Sequence, residues 1–214
     1  TPPERVCCIP NGVDVTHFSR SAVRWPPRAD LGLPKEGILC ATVANLRRGK
    51  GHEFLVRLIA SMTDMPANVH FVLVGGGSDH AEIQRRARDL GVNGRIVFCG
   101  PQSDVRPFLA NSDVFVLPSE YEGMPRALME AIAMGLPSLA TDVGGTGEVL
   151  RDGVDGFLVP YGRVDAAAER LNALIGNKRR RDEFGASARQ RIASEFSISE
   201  VADRYVELFQ RLLT

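Results

Sequence analysis

No stretch of this 214-residue chain approaches the roughly 20 consecutive apolar residues that a membrane-crossing helix needs. Neither sign of charge is in excess, because 26 Lys and Arg offset 26 Asp and Glu. A nucleic-acid binder draws most of its affinity from a basic surplus, so that class is disfavoured, as is bulk attraction to an anionic membrane. No Cys-x-x-Cys pair occurs among Cys7, Cys8, Cys40 and Cys99, and the four His are scattered. A zinc site or disulfide framework is therefore not expected, and the cysteines are expected to be small buried apolar residues in a reducing compartment. The Walker loop and the Gly-x-Gly-x-x-Gly fingerprint, the two commonest nucleotide motifs, are both missing. There is no initiator Met and no signal-peptide pattern at Thr1-Pro2-Pro3, as expected of a piece of a longer chain.

What the chain does have is a strict alternation of two patterns. Near-continuous apolar runs mark strands at Ile38–Ala44, Val69–Val74, Ile96–Cys99 and Val114–Leu117, with weaker ones at Ser138–Ala140 and Phe157–Val159. Between them lie amphipathic helical patterns at His52–Met62, Ala81–Leu90 and Pro125–Met134, and a short helix capped by Ser103. Three more helical patterns follow, at Ala166–Ile175, Asp182–Glu195 and Ile198–Leu213. The basic run Lys178-Arg179-Arg180-Arg181 is expected to be a solvated connection between helices. Strand and helix in turn imply an α/β fold, a parallel sheet with helices on both faces.

In such sheets ligands bind beyond the carboxyl ends of the strands. Four loops at that edge have unusual content: Asn45 to Gly51 with Arg47, Arg48 and Lys50; Gly75-Gly76-Gly77; Pro118 to Pro125; and Thr141 to Glu148 with Gly144 and Gly145. Glycine lets backbone approach a ligand, helix N-termini offer free N–H groups to phosphate, and Lys50 with Arg47 or Arg48 supplies formal charge. Each glycine cluster is equally readable as a tight turn. Together the four loops point to an anionic, nucleotide-type ligand.

Glu122 stands just before the Pro125–Met134 helix and Glu130 lies eight positions later, inside it. At 1.5 Å of rise per residue the carboxylates are roughly 10–12 Å apart along the axis, too far for a shared-proton dyad or a retaining-glycosidase pair. The spacing suits a ligand lying across the helix start, with hydroxyls at both ends and diphosphate on the N–H groups of Gly123 and Met124. The plainer alternatives are a charge on the helix dipole for Glu122 and an exposed helical residue for Glu130, although Ala127, Met129, Ala131 and Met134 around Glu130 make exposure a poor fit.

The segment Pro118-Ser119-Glu120-Tyr121-Glu122-Gly123-Met124-Pro125-Arg126-Ala127-Leu128-Met129-Glu130-Ala131 resembles the Glu–seven residues–Glu motif of the group 1, or family four, retaining glycosyltransferases of GT-B architecture. Ile9 to Asp14, Val43 to Leu46 with Lys50-Gly51, Val74 to Gly77, Val97 to Gly100, Met134 to Thr141 and Gly156 to Val159 agree in order. The resemblance implies a Rossmann-like domain, the C-terminal half of a GT-B fold. It would have a linker and first strand region at 1–12 and a nucleotide-sugar-binding domain at 13–195. A terminal helix at 196–214 would cross back to an N-terminal domain that supplies the acceptor site.

The same resemblance implies roles. Glu130 would accept hydrogen bonds from the donor's ribose, and Glu122 would meet the transferred sugar, with Gly123, Met124 and Pro125 near sugar and phosphate. Lys50 would pair with the diphosphate in place of a metal, while Phe98 to Gly100 would border the base. Gly75, Gly76, Asn45 and Arg47 complete the expected donor site; the family's arginine falls on Asn45, with Arg47 and Arg48 after it. The implied activity moves a sugar from a UDP- or GDP-linked donor to a glycan or lipid-linked acceptor, without metal or further cofactor and without nucleic acid. The setting would be the cytoplasm, with possible peripheral contact at the inner membrane face. Two alternatives stand beside it: a non-catalytic nucleotide-binding or interaction module of the same fold, and a GT-B epimerase or phosphorylase.

Overall fold

A computed structural model describes residues 6–21 and 23–213. Six strands form: β1 (Ile38–Val43), β2 (Val69–Val74), β3 (Ile96–Gly100), β4 (Val114–Leu117), β5 (Ser138–Thr141) and β6 (Gly156–Val159). Every pairing between them is parallel, and the order across the sheet is β3-β2-β1-β4-β5-β6. The helices in the first part are α1 (His52–Ser61), α2 (His80–Asp89), α3 (Arg106–Ala110) and α4 (Arg126–Ala133). After them come α5 (Thr146–Val149), α6 (Val164–Ile175), α7 (Lys178–Glu195) and α8 (Ile198–Leu213).

Successive strand side chains point to opposite faces, which divides the core in two. Cys40, Phe71, Leu73 and Val116 meet Leu55, Leu58 and Ile59 of α1, Ile83 of α2, and Leu171 and Leu174 of α6. On the other face Ala41, Phe115 and Leu117 meet Leu128, Met129 and Ile132 of α4 and Ala188 and Ile192 of α7. Phe108 of α3 packs on Val72 and Val74. Burying side chains of this size contributes about 1.5–3 kcal/mol each relative to leaving them exposed. Cover on both faces is why the strands show no polar alternation.

Four expectations change. The run Lys178 to Arg181 is the opening turn of α7, not a connection: Asn177 caps it by accepting the Arg180 N–H at 3.0 Å. Lys178 and Arg179 pair with Asp182 and Glu183 one turn on, both at 2.7 Å, while Arg181 donates to the carbonyls of Leu174 and Ile175 that end α6. The first apolar residue is Phe184, so the amphipathic period starts a turn and a half late. Ser103 does not cap α3, because the Asp104 carboxylate accepts the first helical N–H, that of Arg106, at 3.0 Å. Cys40 is buried and Cys99 half-buried, but Cys7 and Cys8 are exposed. Residues 6–12 form no strand; Val13 makes a single parallel bridge to Ser197, and residues 1–5 lie outside the described residues.

Helix α8 contrasts with the rest. Val201 is its one buried residue, whereas Ile198, Tyr205, Val206, Phe209, Leu212 and Leu213 are exposed. They recur at helical spacing, so one apolar stripe has no cover among the described residues.

Candidate active site

Strands β1 and β4 are neighbours at the centre of the sheet, and their chains leave in opposite directions, to α1 on one face and α4 on the other. This is the switch point where doubly wound sheets open a crevice. Backbone contacts lock the loops around it. The Glu120 N–H donates to the Gly49 carbonyl at 2.9 Å, the Leu46 N–H to Gly76 at 2.9 Å, and the Gly75 N–H to Gly100 at 2.9 Å. Gly51 has φ +70°, and a Cβ there would fall on the Pro118 carbonyl; Gly144, at φ +51°, stands in the same relation to the Glu122 carbonyl. These glycines let loop pack on loop. Gly123 differs: it is exposed, and a Cβ added there would meet no protein atom within 4 Å.

The crevice holds a cavity of 420 Å³, walled by Asn45 and Lys50 after β1, Gly75 and Gly76 after β2, and Pro101 and Gln102 after β3. Glu122, Met124 and Pro125 from the β4 loop and Arg126 and Ala127 from the first turn of α4 complete it. At its floor the Lys50 ammonium donates to Glu122 Oε1 at 2.8 Å, with the side chains 21% and 11% exposed. Ser119 Oγ donates to the same oxygen at 2.7 Å. Lysine and glutamate follow neighbouring strands but stand 72 residues apart in sequence, so it is the fold that brings them together.

Above the pair, the backbone N–H groups of Gly123 and Met124 donate to no acceptor among the described residues. They precede the α4 N-terminus, whose dipole favours an anion. One turn along α4, the Glu130 side chain is 16% exposed, and no hydrogen-bond donor reaches it among the described residues. Arg126, 3.8 Å away, is 78% exposed. Burial outweighs that arginine and holds the Glu130 carboxyl above its ordinary range.

Of the residues singled out from the sequence, Asn45, Lys50, Gly75, Gly76, Glu122, Met124 and Pro125 come together on one wall system. Arg47, Phe98, Gly100, Gly123 and Glu130 do not line it. Arg47 turns to the opposite side of its loop, into a larger cavity of 620 Å³ shared with Arg48, Glu120 and Tyr161. Neither arginine meets a carboxylate among the described residues. Phe98 lies edge-on to His80 at 5.4 Å, within the packing of the α1 face, and Gly100 reaches the cavity only through its bond to Gly75. Gln102 and Ser119 carried no functional expectation; Ser119 stands in the motif, but nothing in its spacing marks it as a donor to Glu122. Among the described residues no three His, Cys, Asp or Glu gather as a metal-holding group.

A 3-2-1-4-5-6 parallel sheet with a polar cavity at its switch point defines a Rossmann-like domain of the kind found in GT-B glycosyltransferases. The chain belongs to the family Glycosyl transferases group 1, which it matches over residues 23–191. It is 29% identical over 85% of its length to the lipopolysaccharide core biosynthesis glycosyltransferase LpsE of Rhizobium meliloti, covering 52% of that protein. To alpha-maltose-1-phosphate synthase of Mycolicibacterium smegmatis it is 30% identical over 98% of its length, covering 58% of that protein. The chain thus spans about half the length of the curated relatives it matches. Among solved structures, 96% of it superposes on 52% of sucrose-phosphate synthase from Thermosynechococcus elongatus, with a TM-score of 0.83 and 27% identity. It shares the fold of Anabaena HepE in complex with UDP, with a TM-score of 0.88 and 23% identity over 97% of this chain and 58% of that one.

Proposed function

We propose that this chain is the donor-binding half of a retaining, metal-independent glycosyltransferase that moves a sugar from a nucleotide-diphosphate sugar to a glycan or glycolipid acceptor. One observation carries the reading: Lys50 and Glu122, 72 residues apart in sequence, meet at the switch-point cavity beneath the free N–H groups of the α4 approach. Lys50 would leave Glu122 for the diphosphate and stabilise the departing nucleotide, the charge role that a metal fills in other transferases. Glu130, desolvated and without a donor, would take both ribose hydroxyls. Glu122 would meet the transferred sugar across Gly123, and the ends of β2 and β3 would flank the base. The uncovered stripe of α8 supports the expectation that residues 196–214 pack on an acceptor-binding domain.

The test is calorimetric titration of the chain with UDP and GDP, each with magnesium and with EDTA. Binding of one of them in the micromolar-to-millimolar range, equal in both buffers, is expected. Absence of binding by either, or binding only with magnesium, contradicts the proposal.

A further inference from the structure

We infer that Ser119 is a positioning residue, which holds Glu122 Oε1 to the protein and so presents Oε2 to the transferred sugar; this rests on the donor-site reading above. Ser119 has no exposed surface. Its hydroxyl donates to Glu122 Oε1 at 2.7 Å, the oxygen that also receives Lys50 at 2.8 Å. No donor reaches Oε2 among the described residues. The carboxylate is thus divided, with one oxygen doubly held and the other without a donor, on a residue that lines the cavity.

Comparison with other buried hydroxyls makes the contact specific. Thr42, Ser112, Ser138, Thr141 and Thr146 give their protons to backbone carbonyls, the usual way to satisfy a buried hydroxyl, and Ser19 and Ser197 pair with neighbouring serine hydroxyls. Ser119 gives its proton to a carboxylate at the cavity instead. Its own place is set from behind, because Thr141 Oγ1, at the end of β5, donates to the Ser119 carbonyl at 2.5 Å. When Lys50 turns to a diphosphate, Ser119 is the donor left on Oε1. Without it the carboxylate is free to rotate and loses the fixed aim that binding a hydroxyl needs.

The readout that separates positioning from mere folding is the difference between a nucleotide and its sugar-bearing form. Native chain and Ser119→Ala are titrated with UDP and UDP-glucose, and with GDP and GDP-mannose. Ser119→Ala is expected to weaken the sugar nucleotide about tenfold while leaving the bare diphosphate within about twofold. Thr141→Val, which frees the Ser119 carbonyl, is expected to show the same split at smaller size. If Ser119→Ala does not fold, Ser119→Cys keeps the volume with a weaker donor and should show the split in part. Equal weakening of both ligands, or no weakening of either, overturns the role of Ser119 while leaving the donor site standing. No binding of any of the four by the native chain overturns the donor-site reading itself.

Discussion

Glu122 and Glu130 stand eight residues apart in one motif and carry the same charge, yet the protein surrounds them in opposite ways. Glu122 lies on a loop, fixed by Ser119, by Lys50, and by a carbonyl seated against Gly144. Glu130 lies on a helix, 16% exposed, with no donor of its own and an arginine at 3.8 Å that is itself mostly in solvent. A carboxylate satisfied by the protein can be aimed. One left partly desolvated and unsatisfied weakens the empty fold, a loss that a ligand with paired hydroxyls offsets. On the proposed function, the contrast fits Glu122 to orientation and Glu130 to affinity.

The largest expected effect breaks the Glu122 side of that contrast. Gly144→Ala puts a Cβ on the Glu122 carbonyl at a left-handed φ, and should lower unfolding stability by about 2 kcal/mol or more in urea melts. It should also weaken sugar-nucleotide binding. An unchanged midpoint would mean that the loop frame is soft and Glu122 is not held.

A smaller effect sharpens the Glu130 side. Below the ordinary carboxyl value of 4.5 both folded and unfolded chains hold the Glu130 proton. As pH rises the unfolded chain releases it first, so stability falls between the ordinary value and the raised folded one, and stays lower above it. Glu130→Gln removes this loss. The variant should gain in melting temperature relative to the native chain as pH goes from 4 to 7, and a difference independent of pH would contradict the assignment. Smallest of all, Gly123→Ala should change stability by no more than about 0.5 kcal/mol, since its Cβ meets nothing in the protein. If the donor lies across Gly123 as proposed, the added methyl should nonetheless weaken binding of the sugar nucleotide.

Much of this was legible in the residues, and the exceptions have physical causes. The strands could be located because burial on both faces leaves near-continuous apolar runs, weaker at Ser138–Ala140 and Phe157–Val159, where the runs are only three residues long and Ser138 is polar. The start of α7 was hidden because its first turn is held by ion pairs and a cap, with no apolar face to show. Arg47 and Lys50 sit three residues apart, and the sequence leads one to expect both at the donor site, with Lys50 on the diphosphate. The turn between them, closed by the Lys50 N–H on the Arg47 carbonyl at 3.2 Å, sends the two side chains to different cavities. The glycine clusters signalled close approach correctly, but approach to what is a non-local matter. Gly51 meets Pro118 and Gly144 meets Glu122, contacts that no local pattern encodes. Ser119 escaped notice for the same reason, since a buried serine is ordinary until its acceptor is known.

Glu130 as the proposed acceptor of the ribose hydroxyls is the contact most directly open to test, and one cycle of titrations isolates it. Native chain and Glu130→Gln are each titrated with UDP and with 2′,3′-dideoxyuridine diphosphate, or with the guanosine pair if GDP binds. The substitution is expected to weaken the ribose ligand by about tenfold or more and to leave the dideoxy ligand unchanged. Equal losses for the two ligands, or none for either, would contradict the assignment of Glu130.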